Sequence, residues 1–278
     1  MKLEGISLIA VDLDGTAMSQ PGVVNAHTQA VLHSLVSAGF MVVLATGRPA
    51  HRLVEDIVHV DEIRYIISGD GSAIFDRQEN RRIWSCPIPW QKAAGFVGRL
   101  MAFDGVVYIH CDDAEDMHVL SLKNYHDMFG EKYREFAKRP DFLHEDQLDN
   151  WICTKHMNVM KVGLNFEIDS TLGIVQKVCA EEYPEIAAFD AGYNTLEFTS
   201  SKTSKGAALA HLCGMLGVSS KEVFAIGDSG NDIAMLEWAG KSCAMGNATD
   251  KVKQAADFVC QPNDVDGCAK ILEELFLK

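Results

Sequence analysis

The chain has 278 residues, of which 47 % are hydrophobic, and a formal net charge of −14. This length and apolar content predict two packed domains. The excess of acidic residues argues against nucleic acid or anionic lipid as a partner. No apolar run reaches the roughly 18 residues of a membrane span and no signal-peptide pattern precedes the first strand, so we expect a cytoplasmic protein that does not bind membranes.

The first part of the chain alternates apolar strands with helices. Residues 6–11 form an apolar run that predicts a buried strand, and Asn25 is placed to cap a helix that ends at Gly39. Further strands are predicted at 40–45 and at 65–67. A helix at about 49–58 is predicted between them. Nearly continuous apolar strands separated by helices indicate a parallel sheet covered on both faces.

From about residue 83 the pattern changes, because helices and strands alternate without any strand that ends in aspartate. The earlier pattern resumes at Lys205. We therefore predict a doubly wound parallel α/β sheet, formed by residues 1–82 and 195–278, that is interrupted by an α+β domain over residues 83–194. In that middle block, helices are predicted at 90–101, 124–138 and 171–182, and strands at 106–110, 160–166 and 187–189. A further strand is predicted at 195–198, within the second core segment.

Four short segments place polar residues where predicted strands end or where a helix begins. The carboxyl ends of parallel strands are where open α/β sheets bind ligands, so we expect the four segments to meet. The segments are Asp12-Leu13-Asp14-Gly15-Thr16, Ala45-Thr46-Gly47-Arg48, Ser204-Lys205-Gly206 and Gly227-Asp228-Ser229-Gly230-Asn231-Asp232.

These residue types suit the transfer of a phosphoryl group. A carboxylate is already charged at neutral pH, so Asp12 is a candidate nucleophile that needs no base. Asp14 is placed to protonate the leaving oxygen and then to activate water. Two close carboxylates repel each other, which favours a divalent cation between them. The Thr46 hydroxyl and the Gly47 amide can donate to phosphoryl oxygens, and Lys205 can neutralise their charge.

Each segment has an ordinary structural alternative when it is taken alone. An Asp-x-Asp sequence is common in turns and helix caps, Thr-Gly-Arg can simply end a strand, and Lys205 can be a solvated lysine in a first helical turn. Arg48 fits either a structural contact beside the site or a contact with substrate. The order and context of the four segments favour the catalytic interpretation.

In that order the segments resemble the haloacid dehalogenase (HAD) superfamily, made up largely of Mg²⁺-dependent phosphatases, and in particular its Cof-like group with a type IIB α+β cap. The resemblance implies Mg²⁺ held by the side chains of Asp12 and Asp228 and by the backbone carbonyl of Asp14. It further implies that Asn231 binds phosphate and that Asp232 supports the ligands around it. The implied activity is hydrolysis of a small phosphorylated metabolite, such as a sugar or polyol phosphate, through an aspartyl-phosphate.

One segment departs from the Cof-like pattern. Many members have Asn-Gly-Ala after the third strand, whereas this chain has Ser68-Gly69-Asp70-Gly71. A carboxylate accepts hydrogen bonds from hydroxyls or amines and repels a second anionic group. We therefore expect Asp70, together with Arg48, to contact a substrate whose leaving group is a polyol or carries an amine.

Two other functions are compatible with the same motifs. A phosphomutase of this superfamily would return the phosphoryl group from Asp12 to its substrate, and a noncatalytic sensor would only bind a phosphorylated ligand. All the ionisable groups expected of an enzyme are present, which favours hydrolysis over binding alone. The sequence does not fix the oligomeric state.

Overall fold

The structure, a computed structural model, describes residues 3–20, 23–50, 59–103, 105–112, 118–120, 142–166, 169–192 and 194–278. The strands and helices up to residue 100 are β1 (Leu8–Asp12), β2 (Met18–Gln20), β3 (Val23–Val24), α1 (Ala26–Ser37), β4 (Met41–Ala45), β5 (Tyr65–Ser68), β6 (Ala73–Asp76), β7 (Arg81–Ser85) and α2 (Trp90–Leu100). The next are β8 (Val106–Cys111), β9 (His118–Leu120), β10 (Phe142–His144), α3 (Leu148–Lys155), β11 (Val159–Asn165), α4 (Asp169–Glu182), β12 (Ile186–Gly192) and β13 (Thr195–Ser200). The last are α5 (Lys205–Leu216), β14 (Val223–Gly227), α6 (Ile233–Trp238), β15 (Lys241–Ala244), α7 (Asp250–Gln254), β16 (Phe258–Val259) and α8 (Gly267–Leu272).

The chain divides into two compact units, one formed by Met1–Ser85 and Thr203–Lys278 and the other by Cys86–Lys202. The first unit contains an eight-stranded sheet in the order β16-β15-β14-β1-β4-β5-β6-β7. Its pairs from β16 to β5 are parallel, and β6 and β7 extend the sheet as antiparallel strands. A connection that leaves one strand and returns beside it in parallel requires a crossover, which the helices supply.

Both faces of this sheet are covered, because successive side chains of β1 pack alternately into two buried clusters. Ile9 and Val11 join a buried cluster that includes residues of α1 and α8, whereas Leu8 and Ala10 join a second cluster with residues of α5 and α6. Each fully buried aliphatic side chain contributes on the order of 1.5–3 kcal/mol. Asp12 continues the series of Leu8 and Ala10, so its side chain leaves β1 on the face that α5 covers.

The second unit is a six-stranded sheet in the order β10-β9-β8-β11-β13-β12, antiparallel except for the pair of β9 and β10. One face carries apolar residues that pack with α2, α3 and α4. The other face carries Tyr108, Lys161 and Glu197, and Glu197 Oε1 accepts from Lys161 Nζ at 2.5 Å and from the Tyr108 hydroxyl at 3.0 Å. The prediction of a doubly wound parallel core with an inserted α+β unit is confirmed.

The boundary between the units differs from the predicted one at its second crossing. The predicted core includes residues 195–202, but β13 pairs with β11 and β12. Those ladder hydrogen bonds place the strand in the second unit, which ends at Lys202. The predicted helix at 124–138 and most of the one at 49–58 lie outside the described residues.

Two local predictions can be compared directly. Asn25 caps α1, since its side chain accepts from the Thr28 amide at 2.8 Å, which confirms the predicted cap.

Among the residues that the structure describes, none of the helices combines the length and the apolar character that spanning a bilayer requires.

The hairpin of β6 and β7 provides a test of the fold. Asp76 is 2 % exposed and accepts from Arg64 Nε and Nη2 at 2.9 and 2.7 Å. It also accepts from two backbone amides of the turn, at 3.0 and 3.2 Å. Burial opposes its charge, but these hydrogen bonds outweigh burial and lower the pKa of Asp76.

We expect Asp76→Ala to lower the free energy of unfolding by about 2–4 kcal/mol, because it removes a buried carboxylate that accepts four hydrogen bonds. Arg81→Ala, which breaks an exposed pair with Glu79, should cost less than about 1 kcal/mol. Urea unfolding at pH 7 measures both. Because the folded pKa is lowered, the Asp76 contribution is present at neutral pH and shrinks as pH falls below about 4. Equal losses in the two variants would contradict this assignment.

Candidate active site

The segments predicted to form the site begin at one edge of the first unit's sheet. Strands β1 and β4 are in register up to the pair of Asp12 and Ala45, and β1 and β14 up to the pair of Val11 and Ile226. The chain therefore leaves all three strands at the same edge. This edge is formed by their carboxyl ends, where the sequence placed the site.

Lys205 is the first residue of α5, and its position is set by the helix cap. The Ser204 hydroxyl oxygen accepts from the Ala207 amide at 3.1 Å, which fixes where the helix begins. A positive charge at a helix N-terminus is unfavourable by itself, because the backbone amides there already carry partial positive charge. The Lys205 ammonium therefore depends on the acidic residues opposite it.

The Lys205 ammonium uses its donors on three acceptors. Lys205 Nζ donates to Asp12 Oδ1 and to Asp232 Oδ1, each at 2.7 Å, and to Asn231 Oδ1 at 3.3 Å. Lys205 is 1 % exposed, and both carboxylates are buried as well. An ammonium has three N–H donors, so these contacts account for all of them.

The turn after β14 is closed by Asp232. Its Oδ2 accepts from the backbone amides of Asp228 and Ser229, both at 3.0 Å. A Cβ at Gly227 would lie 2.5 Å from the Asp232 carboxyl carbon, so the turn admits only glycine there. Asp232 thus links the lysine to the backbone that carries Asp228.

Asp228 is held from two other segments. Its Oδ1 accepts from the Thr16 hydroxyl at 3.3 Å, and its Oδ2 accepts from Asn247 Nδ2 at 3.0 Å. Asn247 Nδ2 also donates to the Gly15 carbonyl at 2.9 Å. Burial, followed by the nearby negative charge of Asp232, raises the pKa of Asp228 to about 7.

Negative charge is in excess at this edge. Burial, together with the carboxylates of Asp232 and Asp228, raises the pKa of Asp12 well above its usual range, although Lys205 opposes that shift. Burial alone would lower the pKa of Lys205, but Asp12, Asp232 and Asp70 outweigh it and raise that pKa. One lysine does not balance these carboxylates, so the arrangement favours a further cation.

The donor set fits a hard divalent cation. Asp12, Asp228 and Asp232 each offer a carboxylate oxygen, and these oxygens lie within 4.8 Å of one another. Oxygen-only donors of this kind suit Mg²⁺ better than zinc. The predicted set combined Asp12 and Asp228 with the Asp14 backbone carbonyl, whereas the side-chain cluster contains Asp232 in addition.

Asp14 and Arg48 form a bidentate ion pair at the more exposed side of the site. Arg48 Nε donates to Asp14 Oδ2 at 2.7 Å, and Nη2 donates to Oδ1 at 2.6 Å. The Arg48 backbone amide also donates to the Thr46 hydroxyl oxygen at 3.1 Å, and Thr46 is fully buried. Thr46, Gly47 and Arg48 follow β4 directly, as the sequence placed them.

Asp70 lies in the turn between β5 and β6, beside the lysine cluster. It is 1 % exposed, and its Oδ1 accepts from Asn231 Nδ2 at 2.8 Å. The Asp70 side chain is therefore buried against another residue of the site, whereas the sequence had predicted a contact with substrate.

Thr16 and Asn247 contact Asp228 but were not among the predicted site residues. Thr16 ends the first motif, and Asn247 follows β15 within a Met-Gly-Asn-Ala segment whose pattern suits a turn equally well. Only the pairing of β14 with β15 brings Asn247 beside the β14 turn. The Met-Gly-Asn-Ala segment pointed to Asn247 in the sequence, but it did not distinguish a residue of the site from an ordinary turn residue.

The fold and the site together define an α/β enzyme with carboxylates and a lysine at the ends of parallel strands. The model of the haloacid dehalogenase-like hydrolase family matches residues 9–272. The 5-amino-6-(5-phospho-D-ribitylamino)uracil phosphatase YwtE of Bacillus subtilis (strain 168) is 26 % identical over 292 residues, which cover 96 % of this chain and 97 % of that protein.

Two solved structures have the same fold. A haloacid dehalogenase-like hydrolase from B. subtilis gives a TM-score of 0.83 at 23 % identity, with 98 % of this chain and 100 % of that chain covered. The HAD subclass IIB sugar phosphatase BT4131 gives a TM-score of 0.77 at 22 % identity, with 96 % and 98 % covered. The chain belongs to the haloacid dehalogenase-like hydrolases. The predictions of the family and of a hydrolase of the phosphatase type are confirmed.

The contact between the first motif and Asp228 can be tested with two glycines. Gly15 and Gly5 have similar positive φ values, 83° and 78°, but a Cβ at Gly15 would lie 2.2 Å from Asp228 Oδ2, whereas a Cβ at Gly5 has nothing within 4 Å. Gly5→Ala should therefore cost only the backbone term of roughly 1–2 kcal/mol. Gly15→Ala should cost at least about 1 kcal/mol more, because Asp228 must move. Urea unfolding of both variants measures the difference, and equal losses would show that Asp228 does not need this space.

Proposed function

We propose that the chain is a Mg²⁺-dependent phosphatase that hydrolyses a small phosphorylated metabolite, a sugar or polyol phosphate, through an aspartyl-phosphate on Asp12. The observation that carries the proposal is the asymmetry of the Asp12 carboxylate. Its Oδ1 is fixed by Lys205, while Oδ2 is left without a hydrogen-bond partner among the described residues. A nucleophile needs one oriented oxygen that other contacts do not occupy.

In the first step, Asp12 Oδ2 attacks phosphorus, and the bond between phosphorus and the ester oxygen breaks. The leaving oxygen takes a proton from Asp14, so that the alcohol departs neutral. In the second step, Asp14 accepts a proton from water, the water oxygen attacks phosphorus, and the phosphorus bond to Asp12 breaks. Inorganic phosphate leaves, and the Asp12 carboxylate is restored.

Several groups of this chain are proposed to bind the phosphoryl oxygens. The Thr46 hydroxyl, the Gly47 amide and the Asn231 amide are the proposed donors, and Lys205 supplies positive charge. Mg²⁺, held by Asp12 and Asp228 with the Asp14 carbonyl and supported by Asp232, supplies further charge neutralisation when bound.

The ion pair of Asp14 and Arg48 must open during the reaction. Both Asp14 carboxylate oxygens accept from Arg48, so at least one of these hydrogen bonds must break before Asp14 reaches a leaving oxygen. We propose that Arg48 then turns to the substrate.

The proposed substrate class has two supports. YwtE is named for a phosphoribitylamino substrate, and BT4131 is described as a sugar phosphatase. We assign recognition of the leaving group to the inserted α+β domain, predicted from the sequence over residues 83–194. A cytoplasmic location also stays a prediction.

We expect Asp12→Asn to lower kcat by at least about 10³-fold, because the amide is a poor nucleophile and loses its charge. Phosphate release from p-nitrophenyl phosphate and from a panel of sugar and polyol phosphates measures this, with Mg²⁺ and with EDTA. Asp264→Asn, at an exposed carboxylate, is the matched control and should retain full activity.

Three results would contradict the proposal. Ligand binding without any phosphate release would indicate a sensor, and turnover that needs a bisphosphate and releases little phosphate would indicate a mutase. An Asp12→Asn enzyme with the wild-type rate would exclude Asp12 as the nucleophile.

Mg²⁺ binding has a readout that does not require turnover. A ligand that binds only the folded state at 100 times its Kd stabilises it by about 2.7 kcal/mol. Saturating Mg²⁺ should therefore raise the Tm of the wild-type protein by several degrees. Asp228→Asn should lose most of this shift, whereas Asp264→Asn should keep it. Scanning calorimetry against an EDTA baseline measures the shifts, and the same shift in all three proteins would contradict Asp228 as a ligand.

A further inference from the structure

Asp70 occupies a turn of unusual backbone conformation. Its φ and ψ are 56° and 31°, and Gly69 and Gly71 on either side have φ values of 56° and 95°. Apart from glycine, aspartate and asparagine are among the residues that tolerate this left-handed region best. The position therefore admits few residue types without strain.

The backbone of this turn is fixed independently of the Asp70 side chain. The Asp70 amide donates to the Thr46 carbonyl at 3.1 Å, and the Thr203 hydroxyl donates to the Gly71 carbonyl at 2.6 Å. A Cβ at Gly71 would lie 2.2 Å from the Ser204 carbonyl. The turn is thus held between the end of β4 and the start of α5, and removal of the Asp70 side chain leaves these contacts in place.

The Asn231 amide lies between a group that only accepts and a group that only donates. Asn231 Nδ2 donates to Asp70 Oδ1 at 2.8 Å, while Asn231 Oδ1 accepts from Lys205 Nζ at 3.3 Å and from the Ser229 hydroxyl at 2.5 Å. A carboxylate accepts hydrogen bonds and an ammonium only donates them. Reversal of the amide would set its NH₂ against the ammonium and its oxygen against the carboxylate, so only one orientation satisfies every contact.

We propose that Asp70 is a positioning residue that fixes the Asn231 amide, whose oxygen helps Asp12 and Asp232 to hold the Lys205 ammonium at the phosphoryl-binding edge. The proposal deepens the proposed function and rests on it. It replaces the expected contact with substrate, because Asp70 is 1 % exposed and its Oδ1 is occupied by Asn231.

The two variants that test this proposal suit the left-handed backbone. Asp70→Gly removes the acceptor and adopts positive φ without strain, whereas Asp70→Asn keeps an oxygen that can accept from Asn231. Because residues that orient a site typically change activity by 10–100-fold, we expect Asp70→Gly to lower kcat/KM by about that factor. The kcat/KM of Asp70→Asn should stay within about threefold of the wild-type value. Asp70→Gly places three glycines in a row, at positions 69–71, so Asp70→Ala serves as a control for added flexibility. We expect Asp70→Ala to lower kcat/KM by a similar factor.

The choice of substrates separates positioning from contact with the leaving group. A positioning role lowers kcat/KM for p-nitrophenyl phosphate and for a polyol phosphate by the same factor, since both carry the same phosphoryl group. It also raises the Ki of inorganic phosphate as a competitive inhibitor about tenfold or more. Ki does not depend on how much enzyme is folded, so a merely structural role leaves it unchanged. A loss confined to the polyol phosphate, or an unchanged Ki, would overturn the proposal.

A double-mutant cycle tests whether Asp70 acts through Asn231. In an Asn231→Ala background, Asp70→Gly should lower kcat/KM by less than about twofold, because the amide that it orients is gone. If the fold-losses in kcat/KM of Asp70→Gly and Asn231→Ala simply multiply in the double variant, the two residues act independently and the proposal is overturned. If Asp12→Asn has no effect, the proposed function itself fails. If Asp12→Asn is inactive but Asp70→Gly has wild-type kinetics and Ki, only the positioning role fails.

Discussion

The buried ammonium of Lys205 is the contact on which the site depends. It brings together the end of β1, through Asp12, and the turn after β14, through Asp232 and Asn231. These groups belong to segments far apart in the chain, and each is unfavourable by itself: a lysine at a helix N-terminus and carboxylates inside an apolar sheet. Removal of one partner of such a buried pair costs more than the pair contributes, because the remaining charge is left uncompensated. The parallel sheet and the cap of α5 are therefore preconditions for the chemistry.

The same edge carries more acidic groups than one lysine can balance, and this imbalance links stability to function. Asp12 and Asp228 both have raised pKa values, chiefly because they are buried. Functional sites commonly carry strain of this kind, which the surrounding structure maintains. Here the two apolar clusters on either face of the sheet provide that support. A bound divalent cation would relieve the repulsion between these carboxylates.

Much of the fold and part of the site could be predicted because their signals are local. Apolar strands that stop at Asp12 and at Gly227, and a serine that caps the helix of Lys205, are visible in short windows of sequence. The contacts of Asn247 and Asp70 could not be predicted in this way, since they arise from loops that only the folded sheet brings together. The domain boundary was missed for a related reason: nothing in the sequence of Thr195–Ser200 distinguishes a core strand from a strand of the inserted unit, and its pairing partners show which sheet it joins.

The central claim is that Asp12 Oδ2, the oxygen that Lys205 does not hold, bonds to phosphorus during turnover. Rapid quenching of the Mg²⁺-loaded enzyme with substrate, followed by borohydride reduction and peptide mass spectrometry, tests this claim directly, because the reductant converts an acyl phosphate into an alcohol. The account predicts homoserine at position 12 and at no other aspartate. Turnover that leaves residue 12 unmodified, with the mark on another side chain or on none, would contradict it.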